Sequence, residues 1–139
     1  MWAEIRNDFI DDDGIIFIDA WRTMDDNEDG EVLATVTTDG RVEYMNEQAK
    51  KDKRVQEAVN EARYKQLAEK AYGYYIADWC RRRGYNIAYV DEECGFNGEC
   101  YASYEEFLNH EFGDKNYMKH LLNDRDFEDW KELIKINTV

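Results

Sequence analysis

The sequence predicts an α+β protein in which a small antiparallel sheet of three to four strands packs against helices, with three short helices at the C-terminus. Residues 14–45 are rich in β-branched and aromatic residues between turn signals, which is typical of strands. In residues 46–84 the apolar residues recur at helical spacing, and residues 103–136 contain three short segments that each begin near a capping residue. The chain of 139 residues is about the size of one domain, so we expect residues 1–139 to form a single domain.

Residues 14–45 predict a three-stranded meander, in which each strand pairs with the next along the chain. Asp39-Gly40 is the two-residue signature of a type I′ hairpin, whose central residues both need positive φ. The predicted strands are 14–23 (GIIFIDAWRT), 31–38 (EVLATVTT) and 41–45 (RVEYM). Alternate residues of these strands should form the buried face, namely Ile16, Ile18, Val36 and Tyr44.

The helical segment begins after the meander. Apolar residues recur at spacings of three to five from Val55 to Trp79, which predicts a helix with one apolar stripe. An unbroken helix over residues 52–83 would be about 48 Å long at about 1.5 Å per residue, which is long for so small a domain. We therefore expect a break near residues 61–64. The helix should end at Gly84, because three arginines precede it and cations favour the negative end of the helix dipole.

Residues 85–102 predict one further strand followed by a glycine-containing loop. The strand is YNIAYV, residues 85–90, and it would complete the sheet as its fourth member. Each of the three short helices that follow has a side chain able to accept hydrogen bonds from the free N–H groups of its first turn. The predicted capping residues are Ser103 with Glu106 as its capping-box partner, then Asp114, then Asp124 or Asp126.

The formal net charge of −14 is the strongest signal in the composition. A surplus of carboxylates repels nucleic acid and anionic membranes, so we expect the protein to bind neither directly. No apolar stretch approaches the roughly 18 residues that span a bilayer, and the N-terminus lacks the basic start and apolar run of a signal peptide. The three cysteines, an odd number, suit a reducing compartment. These features together predict a cytoplasmic protein.

Residues 25–30, DDNEDG, match the first half of an EF-hand calcium loop, which places oxygen ligands at positions 1, 3 and 5 and glycine at position 6. Position 12 of such a loop needs a glutamate but is Val36, and both flanking segments are β-rich where an EF-hand has helices. Asp, Asn and Gly are also the residues that strand connections favour. We interpret the segment as an acidic turn, and a weak calcium-binding module using residues 25–30 stays an alternative.

No catalytic motif is present: the sequence has no Gly-rich phosphate loop, no Gly-x-Ser-x-Gly and no His-Glu-x-x-His. Five residues separate Cys94 from Cys100, whereas common zinc sites use two to four. The basic runs at 50–54 and 81–83 are interpreted as solvated helix faces that also offset a helix dipole. We expect a non-enzymatic protein without catalytic residues, metal or cofactor, and a metal-dependent enzyme is a further alternative.

Acidic clusters lie at both ends of the predicted meander. Asp12 and Asp13 precede its first strand, and residues 25–30 follow that strand, about 30 Å away at about 3.3 Å per residue. The antiparallel return brings Asp39 back beside the first cluster. Acids of the C-terminal helices form a third surface, namely Glu105, Glu106, Glu111, Asp126, Glu128, Asp129 and Glu132. The expected partner-binding residues are Asp12, Asp13, Asp25, Asp26, Glu28 and Asp29, with Trp21 or Tyr44 as aromatic anchors.

The stretch FIDAWRTMDDNEDGEVLATVTTDGRVEYMNEQAKKDKRVQEAVNEA resembles small proteins carried by mobile elements of Gram-positive bacteria, over roughly residues 14–62. In overall type, a short, strongly acidic, aromatic-rich lone domain without an enzyme motif is similar to anti-CRISPR and DNA-mimic antirestriction proteins. This second likeness covers no aligned residues and assigns no residue a role. It implies an acidic inhibitor whose partner is a basic nucleic-acid-binding protein, specifically a Cas9-type nuclease. The alternative is an acidic cytosolic protein-interaction domain whose charge serves solubility.

Overall fold

The computed structural model describes residues 4–21, 31–86 and 98–137 of the chain. The chain forms two compact units, Met1–Leu67 with Leu133–Val139, and Ala68–Glu132. The described strands are β1 (Glu4–Ile10), β2 (Ile16–Trp21), β3 (Glu31–Val36) and β4 (Val42–Tyr44). The described helices are α1 (Glu47–Lys51), α2 (Lys53–Arg83), α3 (Tyr104–Asn109), α4 (Lys115–Leu121) and α5 (Asp124–Asn137). The predicted α+β class is confirmed, and the single domain stays a prediction.

The four strands form one antiparallel sheet in the order β1-β2-β3-β4, so the predicted meander is confirmed as β2, β3 and β4. The fourth strand of this sheet is β1, which the sequence did not predict. The apolar residues of β1 do not alternate regularly, and its pairing with β2 shifts register between Arg6 and Phe9. Of the predicted strand at 85–90, Tyr85 and Asn86 are not in a strand, and the remaining four residues lie outside the described part of the chain.

The hairpin between β3 and β4 differs from the prediction. Gly40 N–H donates to the Thr37 carbonyl at 2.9 Å, and Thr37 N–H donates to the Arg41 carbonyl at 2.9 Å. The connection is therefore the three-residue type, not the two-residue type I′ turn. Gly40 has a φ of +85°, and this type of loop needs positive φ at the glycine alone. The loop thereby spares Asp39 the left-handed conformation that a type I′ turn would require of it.

The core of the first unit lies between one face of the sheet and the N-terminal part of α2. Ile16, Ile18 and Val36 are buried there as predicted, and Ile16 pairs with Val36 across β2 and β3. Tyr44 pairs with Ala34 and packs half-buried against this core. The other buried members are Ala20, Leu33, Ala34, Ala49, Val55, Val59 and Ala62.

The predicted helix break near residues 61–64 is wrong. Helix α2 is continuous through residues 61–64, and the interruption is at Asp52, whose extended backbone separates α1 from α2. The Asp52 carboxylate accepts hydrogen bonds from the N–H groups of Arg54 at 2.8 Å and Val55 at 3.4 Å, so it caps α2. The helix can be this long because no single core has to cover its whole length. Helix α2 contributes its residues up to Leu67 to the first unit and the rest to the second.

The C-terminus of α2 is confirmed at Gly84, which has a φ of +71°. Tyr85 N–H donates to the Cys80 carbonyl at 2.8 Å, and Gly84 N–H donates to the Arg81 carbonyl at 3.2 Å. These bonds satisfy carbonyl groups that the helix leaves free in its last turn, and they need a residue that tolerates the left-handed conformation.

The second unit has an aromatic core. Phe107 of α3 and Phe112 of the following 3₁₀ turn (Glu111–Gly113) are fully buried with ring centroids 5.7 Å apart. Trp130 of α5 donates its indole N–H to the Phe112 carbonyl at 2.9 Å, which ties α5 to this turn. No helix among the described residues combines the length and the apolar character needed to cross a bilayer.

The capping predictions for the short helices are confirmed for Ser103 and Asp114, whose side chains accept from N–H groups of α3 and α4. The third capping prediction, Asp124 or Asp126, is wrong. Asn123 caps α5 by accepting a hydrogen bond from the Asp126 N–H at 2.8 Å. Asp126 is buried instead, and Lys70 Nζ lies 2.9 Å from its carboxylate. A buried carboxylate needs such a partner, because an unpaired charge is costly to remove from water.

Candidate functional site

The turn between β1 and β2 presents two carboxylates from a rigid backbone. The Asp11 carboxylate accepts from the N–H groups of Asp13 at 3.0 Å and Ile15 at 2.9 Å, and the Asp11 carbonyl accepts from Gly14 N–H at 3.0 Å. This is the side-chain-to-backbone bonding by which aspartate stabilises turns. Asp12 and Asp13 are exposed at its tip. Within the described residues neither carboxylate forms an ion pair.

The neighbouring turn, between β3 and β4, presents a third carboxylate. Asp39 is exposed, accepts a hydrogen bond from the Thr37 hydroxyl, and lies 3.9 Å from a guanidinium nitrogen of Arg41. The hydrogen bond from Thr37, supported by the backbone and the charge of Arg41, lowers the pKa of Asp39 below its ordinary value. The carboxylate is therefore held in its charged form.

Gln66 of α2 holds the two turns together. Its side-chain amide donates to the Gly14 carbonyl at 2.7 Å and to the Val36 carbonyl at 3.1 Å, and the residue is only 4% exposed. The turns also approach closely, since a Cβ on Gly14 would lie 2.8 Å from the Thr38 methyl group. We call the surface formed by Asp12, Asp13 and Asp39 the paired-turn acidic surface. It is the site that the sequence placed at this end of the meander.

The structure brings only part of the predicted partner-binding set to this surface. Tyr44 is half-buried against the core, which leaves only part of its ring to act as an anchor. Trp21 ends β2, where its backbone pairs with Glu4, and its side chain lies outside the described part. The predicted residues outside the described ranges are Asp25, Asp26, Glu28 and Asp29, so the second acidic cluster and the calcium alternative stay predictions.

The acidic surface predicted on the C-terminal helices is partly neutralised. Asp126 is buried against Lys70, and Glu128 pairs with Lys131 at 2.7 Å. Glu111 is half-buried with one carboxylate oxygen covered by the protein. Across residues 4–21, 31–86 and 98–137, no group of three or more His, Cys, Asp or Glu side chains is arranged to hold a metal ion. Cys94 lies outside those residues, whereas Cys100 is exposed.

A second charged cluster, in the second unit, was not predicted. Asp78 of α2 is only 4% exposed, and its Oδ2 accepts from the Tyr117 hydroxyl at 3.0 Å and lies 2.9 Å from Arg82 Nε. Its Oδ1 accepts from Arg81 and lies 3.8 Å from His120 Nε2. Burial by itself would raise the pKa of Asp78, but the hydrogen bonds from Tyr117 and Arg81 and the charge of Arg82 lower it overall.

The effect on Tyr117 is the converse. Burial, and the hydrogen bond that its hydroxyl donates to the Asp78 carboxylate, raise the pKa of Tyr117 well above its ordinary value. The hydroxyl therefore stays a donor throughout the physiological range. The spacing of Asp78 to Arg81 and Arg82, three and four residues, was visible in the sequence and is the spacing of helical ion pairs. Interpreting residues 81–83 only as cations that offset the helix dipole did not identify this ion pairing.

Replacing Asp78 with asparagine should lower the free energy of unfolding at about pH 7 by about 1–2 kcal/mol, because charge-assisted hydrogen bonds are lost. The effect stays modest because the side chains of Arg81 and Arg82 are more than half exposed and remain solvated in the variant. The folded-state pKa of Asp78 is lowered, so its stabilisation is present above the unfolded-state pKa of about 3.9 and is lost as pH falls through the folded-state pKa.

Urea unfolding across this range measures the effect. The difference between wild type and Asp78→Asn should be present at about pH 5 and shrink below about pH 4. Asp13→Asn is the matched control, since it removes a carboxylate from an exposed turn position and should cost less than about 0.5 kcal/mol. A difference for Asp78→Asn that persists unchanged at about pH 3 would show that the carboxylate charge has no part in it.

No known protein-family model matches this chain, and neither curated proteins nor solved structures include a significant match to it.

Proposed function

We propose that this protein is an acidic, non-enzymatic inhibitor of a nucleic-acid-handling effector, most specifically an anti-CRISPR protein that blocks the DNA- or guide-binding channel of a Cas9-type nuclease. The observation that supports this function is the paired-turn acidic surface. There Asp12, Asp13 and Asp39 are exposed on two turns that Gln66 joins from beneath.

Such a surface offers a basic channel the charge that it normally meets on nucleic acid. B-DNA carries one negative charge per about 1.7 Å of its axis, and channels of Cas9-type nucleases contact its backbone through Lys and Arg. The backbone of a hydrogen-bonded turn loses little freedom on binding, which lowers the entropic cost of association. The net charge of −14 would also attract the protein toward a basic partner over distance.

The proposal includes the second cluster in the sequence, Asp25, Asp26, Glu28 and Asp29, as a further set of carboxylates for the same partner. Two clusters engaged by one channel would explain why acids concentrate toward both ends of β2 in the sequence. Association of this kind depends strongly on ionic strength, because salt screens exposed charges over about 10 Å at 0.1 M.

The test is a DNA-cleavage assay with a panel of purified Cas9-type nucleases, each preassembled with its guide. The wild-type chain should inhibit at least one of them, and inhibition should weaken as salt rises. The double variant Asp12→Lys/Asp13→Lys should inhibit that nuclease at least about tenfold less well, since each reversal replaces an attractive pair with a repulsive one. Both positions are exposed, so we expect the variant to fold.

Glu57→Lys/Glu61→Lys is the matched control, because it makes the same change in net charge at two exposed positions of α2. Its inhibitory potency should lie within about twofold of that of the wild type when both are measured at the same salt concentration. Equal losses in the two double variants would show that net charge alone matters and would reject the paired-turn acidic surface as the site. Absence of inhibition across the panel would contradict the proposed function itself.

A further inference from the structure

A pocket of about 330 Å³ lies between α2 and α4 in the second unit. Its α2 wall consists of Tyr74, Ala77, Asp78 and Arg81, whose spacings of three, one and three place them on one helix face. Its α4 wall consists of His120 and Leu121. The pocket thus has a charged end and an apolar side, each built from both helices.

The charged end has an excess of positive charge. Among the described residues that line the pocket, Asp78 is the only acidic one, and its carboxylate is covered by the protein with its oxygens bonded to Arg81, Arg82 and Tyr117. Around Asp78 there are thus two guanidinium groups to one carboxylate. Arg82 is not among the described lining residues, so the cationic groups that line the pocket itself come from Arg81 and, when protonated, His120. In a chain with a net charge of −14, a pocket with this local balance is unexpected from composition.

The donors at this end converge on one place. Arg81 and His120 both approach the same Asp78 oxygen, His120 at 3.8 Å, so their side chains lie close together although they come from different helices. Arg81 bonds to Asp78 through Nη2, and 72% of its side chain is exposed, which leaves its other donors directed to solvent. Asp78 holds this guanidinium in place without consuming its capacity to donate.

The remaining lining is apolar and aromatic. Tyr74 is 40% exposed, and with Ala77 and Leu121 it forms a surface against which an organic group can pack. A site that combines a fixed cationic end with an aromatic side is suited to a ligand with an anionic head and an apolar body.

We propose that this pocket binds a phosphate monoester, with its phosphate on Arg81 and His120 and its ester group against Tyr74 and Leu121. A tetrahedral phosphate presents two oxygens to a guanidinium and retains a third for the histidine. A carboxylate also pairs with a guanidinium, but it carries a single charge and its two oxygens lie in one plane, whereas a phosphate monoester carries nearly two charges and has a third oxygen out of that plane. This inference is independent of the proposed inhibitory function, because it concerns different residues and a small ligand.

The test titrates the full chain with phenyl phosphate, inorganic phosphate and benzoate at constant ionic strength, by calorimetry or NMR. Phenyl phosphate should bind at least about fivefold more tightly than either inorganic phosphate or benzoate, because it alone uses both ends of the pocket. Arg81→Gln should weaken phenyl phosphate binding by about tenfold or more, which is the value of one charge-assisted hydrogen bond. His120→Gln should weaken it by about threefold or more.

Two further variants separate the site from general charge effects. Arg125→Gln removes one exposed positive charge from α5 and should change phenyl phosphate binding by less than about twofold. Tyr74→Ala should abolish the preference for phenyl phosphate over inorganic phosphate while leaving inorganic phosphate binding unchanged.

Three outcomes would overturn the proposal. They are no phenyl phosphate binding at about 10 mM, equal losses in Arg81→Gln and Arg125→Gln, and benzoate binding as tightly as phenyl phosphate. Circular dichroism shows whether each variant is folded. If Arg81→Gln is destabilised, His120→Gln tests the phosphate site by itself, because His120 is exposed on α4.

Discussion

Replacing Phe107 with alanine should lower the free energy of unfolding by about 3–5 kcal/mol, the range observed when a buried aromatic ring is truncated. Phe107 is 0% exposed, and its ring centroid lies 5.2 Å from that of Tyr75, 5.4 Å from that of Tyr72 and 5.7 Å from that of Phe112. The variant loses the buried apolar area and leaves a cavity among rings that are anchored on separate helices. Typical domains are stable by about 5–15 kcal/mol, so the loss is a large share of the total.

Urea unfolding followed by far-UV circular dichroism measures this loss. Phe9→Ala is the matched control, because it makes the same substitution at a ring that is 57% exposed on the edge strand β1. It should cost less than about 1.5 kcal/mol, mostly through the lost contact with Phe17, whose ring centroid lies 5.4 Å away. Similar losses for the two variants would contradict the aromatic core described for the second unit.

Replacing Gln66 with leucine should destabilise the protein by about 1–3 kcal/mol, because leucine fills similar space but cannot make the two hydrogen bonds that the Gln66 amide donates to the carbonyls of Gly14 and Val36. Each unsatisfied buried acceptor costs about 1–3 kcal/mol, and the Gly14 carbonyl is only partly buried. Hydrogen exchange should also quicken in the turns that Gln66 joins, since local opening there no longer breaks two hydrogen bonds.

Gln48→Leu is the control for this substitution, because Gln48 is exposed on α1. It should change stability by less than about 0.5 kcal/mol and leave hydrogen exchange of the turns unaltered. If Gln66→Leu is as stable as wild type, the two hydrogen bonds contribute little to the fold. The rigidity that we assign to the paired-turn acidic surface would then have no support.

The paired-turn acidic surface and the cluster around Asp78 are organised differently. On the paired-turn acidic surface, side chains are exposed and the backbone beneath them is held by hydrogen bonds. In the Asp78 cluster the carboxylate is buried, and the cations around it are exposed. The first arrangement leaves negative charge available to a macromolecular partner, whereas the second leaves positive charge available to a small anion. Net charge alone would have indicated only the first.

Local patterns in the sequence were sufficient for much of the fold. The meander β2–β4, the buried face containing Ile16 and Ile18, the end of α2 at Gly84 and the cap of α4 at Asp114 follow from signals within a few residues. Alternation, turn residues and capping side chains act over short distances along the chain, so a single sequence can reveal them. The exposed position of Asp12 and Asp13 belongs to the same class, because it follows from their place in a turn.

Other features depend on residues that are far apart in the chain. Gln66 reaches back 52 positions to Gly14, and Tyr117 reaches back 39 positions to Asp78. Helical position alone does not distinguish a glutamine or an aspartate that meets such a partner from one that faces water. Burying these polar groups costs free energy unless a partner forms hydrogen bonds with them, and only the tertiary structure brings that distant partner into contact. Among the described acids, Asp78 and Asp126 are therefore buried because of the tertiary structure, which their helical positions alone do not reveal.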